Sequence, residues 1–196
     1  MSCRLTDLDG WIQAVIATPS LTAIRDLAEA RRVLLEDSLQ GVAVVEPLGR
    51  SIVDVGSGGG APGIPIAASL PGHEVTLLEA NGRKCDFLRR WAPPNAHVVD
   101  GRAEEHAAEA YDVAVAKALA PPPVAAEWCL PLVREGGSVV LWVGPSAERE
   151  RVARVAERIA GELAPAPDGF LAIRKIGPTP VGFPRRVGVA RKRPLA

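Results

Sequence analysis

Between Ser51 and Ile176 the chain alternates short apolar, β-branched runs with longer segments whose apolar positions recur at helical spacing. The runs Ile52–Val55, Glu74–Glu79, Ala96–Val99, Tyr111–Ala116 and Ser138–Val143 have the length and composition of buried strands. The intervening segments predict helices over Pro62–Leu70, Gly82–Trp91, Pro121–Val133 and Ala147–Ala160, with a short acidic segment at Ala103–Ala108. On the second helix Cys85, Leu88 and Trp91 share one side, and Pro93-Pro94 stops it. Gly136-Gly137 supplies a turn before the fifth strand, and Phe170–Ile176 predicts a last strand paired with a short one near Gly161–Leu163. Strands alternating with helices imply an α/β architecture, a doubly wound and mostly parallel sheet with helices on both faces.

Upstream of the sheet the spacing changes to helix throughout. Thr6–Ala17 places Trp11, Val15 and Ile16 on one side. Asp26 reads as an N-cap, with Glu29 three residues on as in a capping box, and the helix runs through Val33, Leu34, Leu35 and Leu39 towards Gly41, with Val42–Val45 as an extension. The expected organisation is one domain over residues 1–196: a helical cap at 1–46, the sheet at 51–176 and a basic tail at 177–196. A chain of this length buries about 70% of its unfolded surface.

The chemistry centres on Ile52–Ile66, I-V-D-V-G-S-G-G-G-A-P-G-I-P-I. A strand breaks into Gly56, Gly58, Gly59 and Gly60 and then enters a helix, the order a nucleotide-type cofactor needs at the carboxyl edge of a parallel sheet. Glycines let the backbone turn sharply and let a ligand approach the main chain. No Gly-Lys-Ser/Thr follows, which excludes a P-loop. Gly58-x-Gly60-x-x-Gly63 fits the dinucleotide pattern, so a nicotinamide cofactor is one reading. Two details favour S-adenosylmethionine. A carboxylate at Asp54, by the strand's end, suits an ammonium and a sulfonium and repels a pyrophosphate. Pro62 and Pro65 also remove N–H donors that a pyrophosphate would use.

Glu79 ends the second strand, where a carboxylate's paired oxygens can accept both hydroxyls of a ribose. Arg102-Ala103-Glu104 follows the third strand beside the expected adenine pocket, with Glu104 an acceptor for the exocyclic amine. Lys117 ends the fourth strand, where cofactor and substrate would meet. Trp142, near the end of the fifth strand, reads as a core residue before it reads as a base-stacking one.

A formal net charge of zero conceals an asymmetry. No acid follows Asp168, whereas Arg174, Lys175, Arg185, Arg186, Arg191, Lys192 and Arg193 do, so the tail is basic and the remainder acidic. Arg185, Arg186, Arg191, Lys192 and Arg193 are candidate phosphate contacts. Cys3, Cys85 and Cys129 form no C-x-x-C and read as reduced thiols of a cytoplasmic protein. His73, His97 and His106 lack metal-ligand spacing, and no apolar run is long enough to span a membrane.

Together these residues resemble the RsmG (GidB) family, the bacterial 16S ribosomal RNA guanine-N7 methyltransferases. The resemblance is carried by L-T-A-I-R-D at 21–26, D-S-L at 37–39, D-V-G-S-G-G-G-A-P-G-I-P-I at 54–66, L-L-E-A-N-G-R-K-C-D-F-L at 77–88, R-A-E-E at 102–105, A-K-A-L-A-P at 116–121 and the closing F-P-R-R-V-G-V-A-R-K-R-P-L. It implies a class I methyltransferase fold, S-adenosylmethionine as cofactor, the ribosomal RNA of the 30S subunit as partner, and cofactor contacts at Gly56, Ala61, Ala103, Glu104 and the position of Lys117. Where the family usually has Arg, His and Lys, this chain has Lys117, Leu34 and Val143. Those departures leave two other readings open: a relative methylating a different acceptor, and an RNA-binding protein without catalysis. Guanine N7 carries an in-plane lone pair and no proton, so the implied reaction needs no general base and no catalytic side chain, only alignment.

Overall fold

The structure, a computed structural model, describes residues 7–145 and 147–196. Its sheet contains β1 (Ser51–Val55), β2 (Glu74–Glu79), β3 (Ala96–Asp100), β4 (Tyr111–Lys117), β5 (Val133–Trp142), β6 (Gly161–Ala164) and β7 (Phe170–Lys175). The helices are α1 (Leu8–Ala17), α2 (Leu27–Ala30), α3 (Asp37–Gln40), α4 (Val42–Val45), α5 (Gly63–Ser69), α6 (Gly82–Trp91), α7 (Pro122–Cys129), α8 (Arg149–Arg158) and α9 (Val189–Lys192). The strand order is β3-β2-β1-β4-β5-β7-β6. The first five strands run parallel, and β7 lies antiparallel between β5 and β6. The mostly parallel, doubly wound sheet expected from the alternation is therefore present. Its order reverses between β1 and β4, which is where such sheets open a crevice at their carboxyl ends.

Strand parity assigns each side chain to one of two cores. Val53, Ala114 and Val139 face α7 and α8, packing with Ala126, Val152 and Val155. Ile52, Val113 and Val140 face the other way, packing with Ile64 and Ile66 of α5, Leu88 of α6, and Trp11, Ile12 and Val15 of the cap. Burial on both sides explains why the strands read as continuous apolar runs.

Three elements depart from expectation. The helix expected to reach Val133 ends at Cys129, followed by a 3-10 turn at Leu130–Leu132 that contains Pro131. Strand β5 then begins at Val133, so Gly136-Gly137 lies inside it. The register passes from Tyr111↔Val133 to Val113↔Ser138, and Gly136 takes φ +77° within this bulge. In the cap, Asp26 accepts from the Glu29 amide at 2.8 Å as an N-cap should, but the helix widens into a π-helical turn over Arg31–Glu36. That turn presents the Val33 carbonyl to Lys117, whose Nζ donates to it at 2.9 Å from the end of β4.

The basic tail does not extend freely from this body. Lys175, at the end of β7, is fully buried and donates to Leu130 O at 3.2 Å, Val133 O at 2.9 Å, Glu109 Oε1 at 3.1 Å and Thr179 Oγ1. Phe183 and Leu195 pack against the α7–α8 core, and Ala190 of α9 is buried. Two of the seven cations that follow Asp168 are therefore spent internally: Lys175, and Arg185, which holds the buried Glu127. Cys85 and Cys129 are buried thiols, and Cys3 lies outside the described residues. Among the described residues no helix is long and apolar enough to cross a membrane, and no His/Cys/Asp/Glu cluster could hold a metal.

Candidate functional site

A cavity of about 580 Å³ opens at the carboxyl ends of β1 to β4. Its floor is the glycine loop. Gly56 N and Ser57 N donate to Leu78 O at 2.8 and 3.1 Å, tying the loop to β2, and Gly60 N closes a turn on Ser57 O at 2.7 Å. Gly56 and Gly58 take φ +69° and +56°, values that side chains disfavour. A Cβ on Gly56 would come 2.3 Å from Leu119 Cδ1. One on Gly58 would meet nothing nearer than Gly56 O at 3.7 Å, so the main chain there is open.

Glu79 stands beside this floor and is 8% exposed. Its Oε2 accepts from Gly58 N and its Oε1 from Asn81 N, each at 2.9 Å. The carboxylate thus braces both the loop and the N-cap of α6. Each oxygen keeps a further lone pair to offer.

Asp54 and Gly60 do not line the cavity, which corrects two of the sequence expectations. Asp54 alternates with Val53 and Val55, so its side chain falls on the α5 side of the sheet, beneath the loop. It is 1% exposed, and Oδ2 accepts from Gly63 N at 3.1 Å. Oδ1 has no partner among the described residues. Burial pushes its carboxyl up to about 7, against the lowering effect of hydrogen bonds from Ser57 and Gly63. Buried on this face and bonded to Gly63 N, Asp54 supports the loop from below. Gly60 is buried against Ile64, where a Cβ would approach to 2.4 Å.

The other expected positions do surround the cavity: Gly56, Gly58, Ala61, Glu79, Ala103, Glu104 and Lys117. Lys117 is already committed, since its Nζ pairs with Asp37 Oδ2 at 2.5 Å as well as with Val33 O, and its side chain is 11% exposed. The charge meant for a ligand is matched by the cap. Leu34 is also in the wall, whereas Val143 and Trp142 are not. Trp142 is a packing residue, as the core reading has it: its Nε1 donates to Asp37 O at 3.0 Å and its ring meets Phe170 edge-on.

Sequence reasoning missed the contribution of the cap and of the tail. Trp11 is fully buried and donates from Nε1 to Gly59 O at 2.8 Å, fixing the loop from the far side. Val15, Leu21, Thr22 and Ile24 complete that wall. Lys84 and Trp128 line it from α6 and α7, and Arg191 from the tail. Leu21, Thr22, Ile24, Lys84 and Arg191 did carry a signal, since they lie in segments that bear the family resemblance, but nothing in those segments pointed to a cavity wall.

Comparison with known proteins agrees with this architecture. The family described as "GidB: rRNA small subunit methyltransferase G" matches residues 6–163. Relatives described as "Ribosomal RNA small subunit methyltransferase G" include one from Symbiobacterium thermophilum, 39% identical over 90% of this chain and 82% of its own. Another, from Synechococcus elongatus, is 35% identical with the same two coverages. Among solved structures, a 16S rRNA N2 G1207 methyltransferase of T. thermophilus, in complex with AdoMet and guanosine, superposes with a TM-score of 0.55 at 21% identity, over 74% of this chain and 40% of its own. A putative S-adenosyl-L-methionine-dependent methyltransferase of Methanococcus maripaludis gives 0.58 at 15% identity, over 78% of this chain and 91% of its own. The shared fold is that of class I S-adenosylmethionine-dependent methyltransferases.

Proposed function

The chain belongs to the rRNA small subunit methyltransferase G family, and from that premise we propose that it transfers a methyl group from S-adenosylmethionine to guanine N7 in 16S ribosomal RNA. The observation that carries the cofactor part is Glu79. Its two oxygens are held by main-chain N–H groups with lone pairs to spare, on the cavity wall beside a glycine floor with no side chain in the way. That donor set fits the vicinal hydroxyls of an adenosine ribose, and the open main chain at Gly58 fits close approach of the ligand. Ala103 and Glu104 border the part of the cavity that the adenine would take, and Gly56 and Ala61 the part nearest the methionine. The bound cofactor supplies an electrophilic methyl carbon on sulfur.

The residues have only to hold the partners in line. N7 attacks through an in-plane lone pair and loses no proton, so the step requires no general base. Holding two reactants in line is worth on the order of 7–11 kcal/mol through entropy supplied by binding. Lys117, paired with Asp37, keeps the cap against the end of β4 and so shapes the acceptor side of the cavity. Arg186, Lys192 and Arg193 are exposed and free to meet RNA phosphates.

The test is incubation of 30S subunits lacking the modification with the protein and S-adenosylmethionine, followed by digestion and mass spectrometry of the nucleosides. The expected product is 7-methylguanosine at a single site. Methylation elsewhere, or none despite cofactor binding, would replace the acceptor assigned here.

A further inference from the structure

The tail's inward-facing residues have no role in the reaction as described, yet they converge on one place. Glu127 of α7 is 3% exposed, and a buried carboxylate is costly unless paired. Arg185 meets it with both arms of its planar fork, Nε to Oε1 at 2.5 Å and Nη2 to Oε2 at 2.6 Å. The same Nη2 donates to Arg193 O at 2.9 Å, folding the segment back on itself. Trp128, the next residue on α7, carries the Arg191 guanidinium 6.0 Å from its ring centroid. Between these two points Gly188, at φ +76°, donates its N–H to Glu104 Oε1 at 3.1 Å. The segment is therefore fastened to α7 and to the turn after β3, which border the same end of the cavity. Glu104, Trp128 and Arg191 all line it there.

We propose that the C-terminal segment is a wall of the S-adenosylmethionine site, in which the Glu127–Arg185 pair acts as a clamp that sets Arg191 against the adenosine end of the cavity. This rests on the reading of the cavity as the cofactor site. The basic residues then divide by what they meet: Arg185 holds Glu127 and Arg191 lies over Trp128 on the cavity wall, while Arg186, Lys192 and Arg193 line no part of the cavity. Arg185 and Glu127 are positioning residues, since neither lines the cavity itself.

Calorimetric titration of the full chain with S-adenosylhomocysteine tests this, using Arg191→Ala, Arg185→Met, the double variant, and Arg154→Ala on α8 as an exposed charge control. Arg191→Ala weakens binding at least about fivefold, the scale of one lost polar contact, and Arg185→Met weakens it at least as much. The double variant is no worse than Arg185→Met, because a released segment no longer presents Arg191; additive losses would overturn the clamp. Amide exchange over residues 185–193 slows when S-adenosylhomocysteine is added. Wild-type affinity in both single variants, with the ligand leaving that exchange unchanged, would overturn the wall. Because Arg191 is exposed, its variant folds and decides the question even if Arg185→Met does not. A wild-type chain that fails to bind S-adenosylhomocysteine would remove the cavity reading itself, an outcome distinct from tight binding that ignores the tail.

Discussion

Asp54 and Glu79 sit at the ends of adjacent parallel strands, on either side of one glycine loop, and they do opposite work. Asp54 lies beneath the loop, dry, with one oxygen on Gly63 N and the other unpartnered among the described residues. Glu79 lies beside the cavity with both oxygens engaged by main-chain amides. The difference comes from position along the strands, not from parity: Asp54 is opposite Leu77, two residues short of Glu79 on the same alternation. Asp54 falls within β1 on the face that packs on α5, whereas Glu79 is the last residue of β2, one step beyond the Val55↔Leu78 pair, where the sheet gives way to the crevice. A carboxylate near a strand end is thus a ligand group or a buttress according to a two-residue difference in register.

Substitutions at the two sites should separate these roles. Glu79→Ala leaves the Gly58 and Asn81 amides without their acceptor and removes the proposed ribose contact. The expected loss in S-adenosylhomocysteine affinity is about 100-fold, the order of two bonds to a charged acceptor, read by calorimetry. Glu79→Gln retains an acceptor and costs about tenfold. Equal affinity in wild type and Glu79→Ala would assign Glu79 to the scaffold alongside Asp54.

Asp54 should act on stability instead. Its carboxyl holds a proton up to about pH 7 in the fold and to near 3.8 in the unfolded chain, so folding takes up a proton between those values. Stability is then greatest below the unfolded value, falls as pH rises through the window, and reaches its floor above about 7. Between pH 5 and pH 8 this amounts to a loss on the order of 2 kcal/mol, measurable by urea denaturation at the two pH values. Asp54→Asn, neutral throughout, removes most of that difference while leaving cofactor affinity near wild type. An unchanged pH difference in the variant would mean that Asp54 is not the titrating buttress. Gly63→Ala probes the same contact by size. Its Cβ would lie 2.3 Å from Leu77 Cδ2 and 2.6 Å from Asp54 Oδ2, and it should lower stability by roughly 1–3 kcal/mol.

Much of the frame was legible because local signals and tertiary need agreed. The bounds of β2 and α6, the Asp26 cap and the strand–loop–helix unit at residues 52–66 all follow from spacing within a few turns of chain. What escaped was set across long separations. Asp54 was read as facing the ligand because its neighbourhood in sequence is right, and only sheet packing shows that it faces α5. Lys117 was read as free for a ligand, but Asp37, eighty residues earlier, takes its charge. The tail, basic and without acids, was read as a row of phosphate contacts facing outward. Its partners Glu127 and Glu104 lie in other elements, where no periodicity within the tail could point to them. Strand β5 was shortened at its start because Gly136-Gly137 signals a turn, and here the turn geometry is absorbed as a bulge inside the strand.

The central claim is that the crook between β1 and α5, braced by Glu79, receives S-adenosylmethionine. Its most direct test is titration of the wild-type chain with S-adenosylhomocysteine and, separately, with NADH. The account predicts saturable one-to-one binding of S-adenosylhomocysteine and no heat from NADH. Binding of NADH with no response to S-adenosylhomocysteine would contradict it.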